Sequence, residues 1–135
     1  MDENETAKVV VDCAFRVHTT LGPGLLESVY ELVLAHEISN RGLIVCRQVP
    51  IPLRYAELRF EAGFVADMIV EDKLIIELKS IEQVAPVHKK QLLTYLRLSE
   101  KRLGLLINFG QERIKDGIIR VANGMPENLP RSFSL

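Results

Sequence analysis

Asp67, Glu77 and Lys79 stand in an otherwise apolar stretch, Ala66–Lys79, reading ADMIVEDKLIIELK. An ionised group in an apolar sheet is costly unless something pairs it. Two apolar runs flank Glu71 and Asp72, the pattern of a tight antiparallel hairpin. Side chains alternate along a strand, so Glu77 and Lys79 share one face, and Leu74, Ile76 and Leu78 take the other. Asp67 joins the first face only if the loop is odd. With Glu71, Asp72 and Lys73 in the turn, Val70 pairs with Leu74 and Asp67 with Glu77. A two-residue turn would send Asp67 to the wrong side. The odd loop is the expectation. Two adjacent carboxylates repel, and a hard divalent cation such as Mg²⁺ or Mn²⁺ removes that repulsion by taking their oxygens as ligands. A lysine one step along the face would stabilise negative charge or orient a water, as metal-assisted phosphodiester hydrolysis requires. The competing reading is an ion cluster that only holds the sheet together. The spacing alone does not choose between them.

The elements around this stretch must position it. Residues 4–20 read as an amphipathic helix, with Ala7, Val10, Val11, Ala14, Val17 and Leu21 at helical spacing. Leu21-Gly22-Pro23-Gly24 breaks it. A second helix is predicted from Leu25 to Asn40, with Val29, Leu32, Val33 and His36 on one face and Gly42 just past its end. Glu27 falls in its first turn, either as a dipole partner or as a third carboxylate aimed at the hairpin, with Tyr30 and Glu31 on the same side. Residues 43–55 read as an edge or irregular strand, because Pro50 and Pro52 cannot donate to a ladder. Leu58 to Val70 leads into the hairpin. Pro86 suits the start of a helix reaching Glu100, on which Gln91 and Tyr95 share a face, with His88 a turn earlier. Leu103 to Phe109 reads as a strand buried on both sides. Arg113 to Ala122 reads as a final edge strand or short hairpin partner, and the tail from Asn123 as irregular. The order α-α-β-β-β-α-β-β predicts an α/β fold: a mixed sheet with helices on both faces.

The chain has 135 residues, the size of one domain. Hydrophobic content of 47% and charged content of 26% are those of an ordinary globular protein. A net charge of -1 does not mark the whole surface as a nucleic-acid binder. Cys13 and Cys46 lie in apolar sequence and read as reduced core residues of a cytoplasmic protein. The first eight residues do not resemble a signal peptide, and no apolar run approaches a membrane span.

The order of elements resembles the core of the PD-(D/E)XK nuclease superfamily, the restriction-endonuclease-like fold. Asp67 followed by Glu77-Leu78-Lys79 is similar to its signature, with Ala66 in place of the proline. Gln91-Leu92-Leu93-Thr94-Tyr95 resembles the Q-x-x-x-Y element of its RecB-type branch. Gly24-Leu25-Leu26-Glu27-Ser28-Val29-Tyr30 is similar to the motif naming the GxxExxY protein family, as are Leu21-Gly22-Pro23-Gly24 and Leu106-Ile107-Asn108-Phe109-Gly110. The resemblance covers residues 5 to 122 within one domain spanning 1–135, leaving 123–135 as tail. It implies Asp67 and Glu77 as ligands of Mg²⁺ or Mn²⁺, with the Leu78 carbonyl and Glu27 completing the set. It implies Lys79 as the catalytic lysine, with Gln91 and Tyr95 beside the site. His18 reads as a core or surface residue.

Three function classes follow. The first is a metal-dependent nuclease acting on DNA ahead of RNA, with Arg47, Arg54, Lys89, Lys90 and Arg97 as phosphate contacts. The second is a nuclease-fold module, weakly active or inactive, that binds or assembles and could form a homodimer. The third is a metal-dependent hydrolase of some other substrate.

Overall fold

Asp2 and Glu5 cap each other at the start of the chain. The Glu5 N–H donates to Asp2 Oδ1 at 2.8 Å, and the Asp2 N–H donates to Glu5 Oε1 at 3.2 Å. They open helix α1, Glu3–Leu21, in the computed structural model, which describes residues 1–125. Helix α2 spans Glu27–Asn40. Strands β1 (Val45–Tyr55), β2 (Leu58–Val70) and β3 (Leu74–Lys79) follow, then α3 (Pro86–Ser99) and β4 (Leu103–Asn108). A 3-10 turn, Ile114–Gly117, leads into β5, Ile118–Ala122. The predicted tail from residue 126 onward lies outside the described residues.

The strands form one sheet in sequential order, β1 to β5. All neighbours are antiparallel except β3 and β4, which α3 joins as a parallel pair. A parallel pair needs such a crossover, since a hairpin cannot reverse the chain twice. Every residue of β4 is buried, as its unbroken apolar sequence requires. Val10, Ala14 and Val17 of α1 and Leu34 and Ile38 of α2 pack on Met68, Ile76 and Leu105. Leu92 and Leu96 of α3 pack on Ile75 and Leu106 on the other side of the sheet.

The central hairpin has the odd register. Val70 pairs with Leu74, Ile69 with Ile75 and Met68 with Ile76. Glu71 and Asp72 adopt φ of 55° and 54° in the turn. The β1–β2 hairpin does not alternate uniformly. Val45, Met68 and Val70 face α1 and α2, yet Val49, Ile51 and Ala66 belong to the core under α3. The reversal falls at Gln48 and Asp67, and Gln48 has φ 51°. Register is unchanged across it, Arg47 pairing with Met68 and Val49 with Ala66, so both strands turn over together.

Four expectations are corrected. Helix α2 starts at Glu27 rather than Leu25, because Leu26 is extended at the cap. Its buried face is Tyr30, Leu34, Ala35 and Ile38; Leu32 is 54% exposed. The helix is apolar on most sides, so the position of α1 and the sheet selects the buried face. Cys46 is exposed, because β1 is an edge strand with a neighbour on one side only. The segment Arg113–Ala122 is strand only from Ile118. Pro50 and Pro52 do lie on an edge strand, where a missing donor costs nothing. No described helix is long and apolar enough to cross a membrane.

Candidate active site

Beyond Met68 and Ile76 the ladder between β2 and β3 opens. A side chain takes over: the Leu78 N–H donates to Asp67 Oδ2 at 2.8 Å. On a strand, the N–H and C=O of one residue point to the same side. The Leu78 carbonyl therefore faces the opening that holds Asp67. The Lys79 carbonyl faces the other way and accepts from the Phe109 N–H at 2.9 Å.

Glu77 lies beside Asp67, close enough for the Asp67 carboxylate to hold its proton on. Its Oε1 is buried and has no hydrogen-bond partner among the described residues. Burial, first, and the Asp67 carboxylate push Glu77 up to about 9, against a smaller opposing pull from Lys79. A buried acceptor with nothing to accept is rare in a folded protein.

Glu27 reaches the same place from α2. Gly22 and Gly24 turn the chain with φ of 70° and 101°, conformations that favour glycine. The Tyr30 hydroxyl donates to the Gly22 carbonyl and accepts from the Leu25 N–H at 3.2 Å. The Tyr30 ring is buried and stacked on Phe109 at 4.5 Å. The Ser80 hydroxyl, just past β3, donates to the Leu25 carbonyl at 2.6 Å. These bonds fasten the start of α2 to the end of β3. Glu27 is raised by burial and then by Asp67, and lowered by Lys79. It is exposed, and it lies within the electrostatic reach of both residues.

Tyr95 completes the surround from α3. Its ring stacks on Phe64 at 3.9 Å. Burial raises its phenol, Glu77 and Asp67 raise it further, and Gln91 beside it acts in the opposite direction. The sequence-predicted set of Glu27, Asp67, Glu77, Lys79, Gln91 and Tyr95 is thus brought into one neighbourhood.

Other predicted residues do different work. Arg47 donates from Nε and Nη2 to Glu31 Oε2 at 3.2 and 3.1 Å, so it holds α2 on β1 and is not free for phosphate. Gln48 donates to the other Glu31 oxygen at 2.6 Å. The His18 Nε2 lies 2.8 Å from the Gln111 carbonyl, and its ring stacks against Phe109. His88 Nδ1 accepts from the Ala85 N–H at the start of α3.

Asn108 is a positioning residue that sequence reasoning missed. It is fully buried; its amide donates to the Ile81 carbonyl at 2.9 Å, and its oxygen accepts from Ile81 and Gly110 N–H at 3.1 and 3.0 Å. It fixes the chain leaving Lys79. Its signal was a lone amide at the end of an apolar strand. Gly110 assists, since an added Cβ would lie 2.1 Å from the Ile81 carbonyl oxygen.

Asp67, Glu77 and the Leu78 carbonyl offer hard oxygen donors, and the orphaned Glu77 Oε1 is one of them. That set suits Mg²⁺ or Mn²⁺ rather than a thiophilic metal. Among the described residues no three His, Cys, Asp or Glu side chains already form a metal-holding group. No curated protein and no solved structure matched the chain in comparison. A sequence model of the PD-(D/E)XK nuclease superfamily matches residues 4–121. That span takes in both helices before the sheet, the β2–β3 carboxylates and the crossover through α3, and the chain belongs to the PD-(D/E)XK nuclease superfamily.

Proposed function

We propose that the protein is a divalent-metal-dependent nuclease that hydrolyses phosphodiester bonds, in DNA ahead of RNA. The observation that carries this reading is the Asp67–Glu77 pair, with one buried, unpartnered carboxylate oxygen. A purely structural ion cluster would place Lys79 on that oxygen. Membership of a nuclease superfamily supports a nucleic-acid substrate.

Asp67, Glu77 and the Leu78 carbonyl would hold Mg²⁺ or Mn²⁺, with Glu27 contributing from α2. Bound there, the ion would polarise a phosphoryl oxygen and make water a better nucleophile. Lys79 places a positive charge beside the pair, where it stabilises negative charge gathering on the phosphoryl oxygens. Hydrolysis forms a bond from water oxygen to phosphorus, breaks one phosphorus–ester oxygen bond and delivers a proton to the departing oxygen. Gln91 and Tyr95 bound the site from α3 and orient the substrate against Lys79.

The test is incubation of the purified protein with single- and double-stranded DNA and with RNA, in Mg²⁺ or Mn²⁺, beside Lys79→Ala. Cleavage by the wild type that EDTA and Lys79→Ala both abolish supports the reading. Equal cleavage by Lys79→Ala, or none by the wild type on any substrate, overturns it.

One observation favours assembly as a second role. Leu26 is 73% exposed and lies with exposed Leu25, Val29 and Leu32 around the start of α2. Burial of such a patch against a second copy is consistent with a homodimer. Light scattering on wild type and Leu26→Glu would separate a dimer from a monomer.

A further inference from the structure

Away from the carboxylate pair, the β1–β2 hairpin and the end of α3 enclose a groove of about 720 Å³. Arg54, Arg59, Arg97 and Phe60 line it. Arg54 and Arg59 pair directly across the hairpin. Like charges so placed destabilise a strand pair. None of the three guanidinium groups has an ion-pair or hydrogen-bond partner among the described residues, whereas Arg47 is tied to Glu31 and Arg41 to Asp12. Glu61 and Glu100 also line the groove without pairing to them. Phe60 leaves 47% of its surface exposed.

Strand β2 leads from the groove to the candidate active site, carrying Arg59 and Phe60 at one end and Asp67 towards the other. Phe64, four residues along β2 from Phe60, stacks on Tyr95, and Tyr95 feels the charges of Glu77 and Asp67.

We propose that this groove holds a single strand of nucleic acid running to the Asp67–Glu77 pair, with phosphates on Arg54, Arg59 and Arg97 and a base against Phe60. Phosphate answers the uncompensated arginines. An exposed ring offers stacking to an unpaired base, which a duplex keeps inside its own stack. The net charge of -1 does not oppose this, since the attraction is local. The inference rests on the nuclease reading for the course of the strand, and on the groove itself for binding.

The experiment is fluorescence anisotropy with a labelled single-stranded oligonucleotide and its duplex, in EDTA, over a salt series. Circular dichroism checks that each variant is folded. The proposal expects the wild type to bind the single strand more tightly than the duplex. Arg54→Gln with Arg59→Gln should weaken binding about tenfold or more and flatten the log–log salt slope by about 0.7 for each phosphate no longer neutralised. Phe60→Ala should cost about tenfold with the slope unchanged, as stacking does. Folded variants that bind as the wild type does, or a wild type that prefers duplex, would overturn the proposal. If binding depends on the groove but no metal supports cleavage, the groove stands and the nuclease reading falls. If cleavage depends on Lys79 while the groove variants bind and cut normally, the reverse holds.

Discussion

Asp67 accepts the Leu78 N–H at 2.8 Å, so a carboxylate of the candidate site also replaces a ladder bond between two strands. The two duties separate by mutation. Asp67→Ala leaves a main-chain donor without its partner, at about 1–3 kcal/mol. Glu77 keeps its proton up to about 9, so removing the Asp67 charge relieves little repulsion at neutral pH. Asp67→Asn removes the same charge and keeps an acceptor. Urea unfolding of the metal-free proteins should place Asp67→Asn above Asp67→Ala in stability by about that amount. Equal stabilities would show that the Leu78 bond contributes nothing. Lone relief of repulsion, the reading open from sequence, would leave Asp67→Ala no less stable than the wild type.

The pH dependence has a definite sign. Glu77 ionises at 4.5 in an unperturbed chain and at about 9 in the folded one. Between those values the folded state holds a proton that the unfolded state has lost. This contribution to stability is full below the lower value and is lost as pH rises through the upper one. Metal-free wild type should therefore lose stability across that window, on the order of a few kcal/mol. Glu77→Gln should lack this slope. Parallel pH profiles for the two proteins would remove the proton from Glu77.

Metal binding should displace that proton. Titration of Mn²⁺ or Mg²⁺ at neutral pH, followed by calorimetry in buffers of different ionisation enthalpy, should report proton release from the wild type and little from Glu77→Gln. The ion should also raise the melting temperature, by an amount equivalent to about 2.7 kcal/mol at a hundred times its dissociation constant. The rise should vanish in Asp67→Asn. No proton release and no thermal shift in the wild type would leave the pair without a metal.

Asn108 satisfies three main-chain groups at the exit of β3. Asn108→Leu keeps the volume and strands all three. It should destabilise the protein by about 2–5 kcal/mol, and chemical denaturation measures this directly. Asn108→Asp, which retains the acceptor, should recover part of the loss. A leucine variant as stable as the wild type would show that water can replace the amide.

Tyr95→Phe keeps the stack on Phe64 and removes only the hydroxyl. Stability should change by less than about 1 kcal/mol, because no strong hydrogen bond is lost. Cleavage should fall in kcat with KM little changed, if the phenol acts on the reacting phosphate. Full activity would confine Tyr95 to packing.

The order of elements, the odd loop at Glu71–Lys73 and the pairing of β2 with β3 are legible in the residues alone. These follow from local patterning: period-2 alternation, Gly-Pro-Gly at residues 22–24 and an apolar run at Leu103–Asn108. Gly22 and Gly24 take the positive φ that their residue type suggests. The same logic misplaced the buried face of α2, since a helix apolar on several sides carries no directional information. It also missed the reversal at Gln48 and Asp67, because strict alternation cannot show where two paired strands turn over together. Arg47 looked like a phosphate contact until packing set it against Glu31. Asn108 looked like one more strand residue until Ile81 and Gly110 came within hydrogen-bond reach. Which polar groups find partners is settled by the packed fold. That depends on groups far apart in the chain meeting across the sheet, and it is why the unpartnered Glu77 Oε1 is visible in the fold and invisible in the sequence.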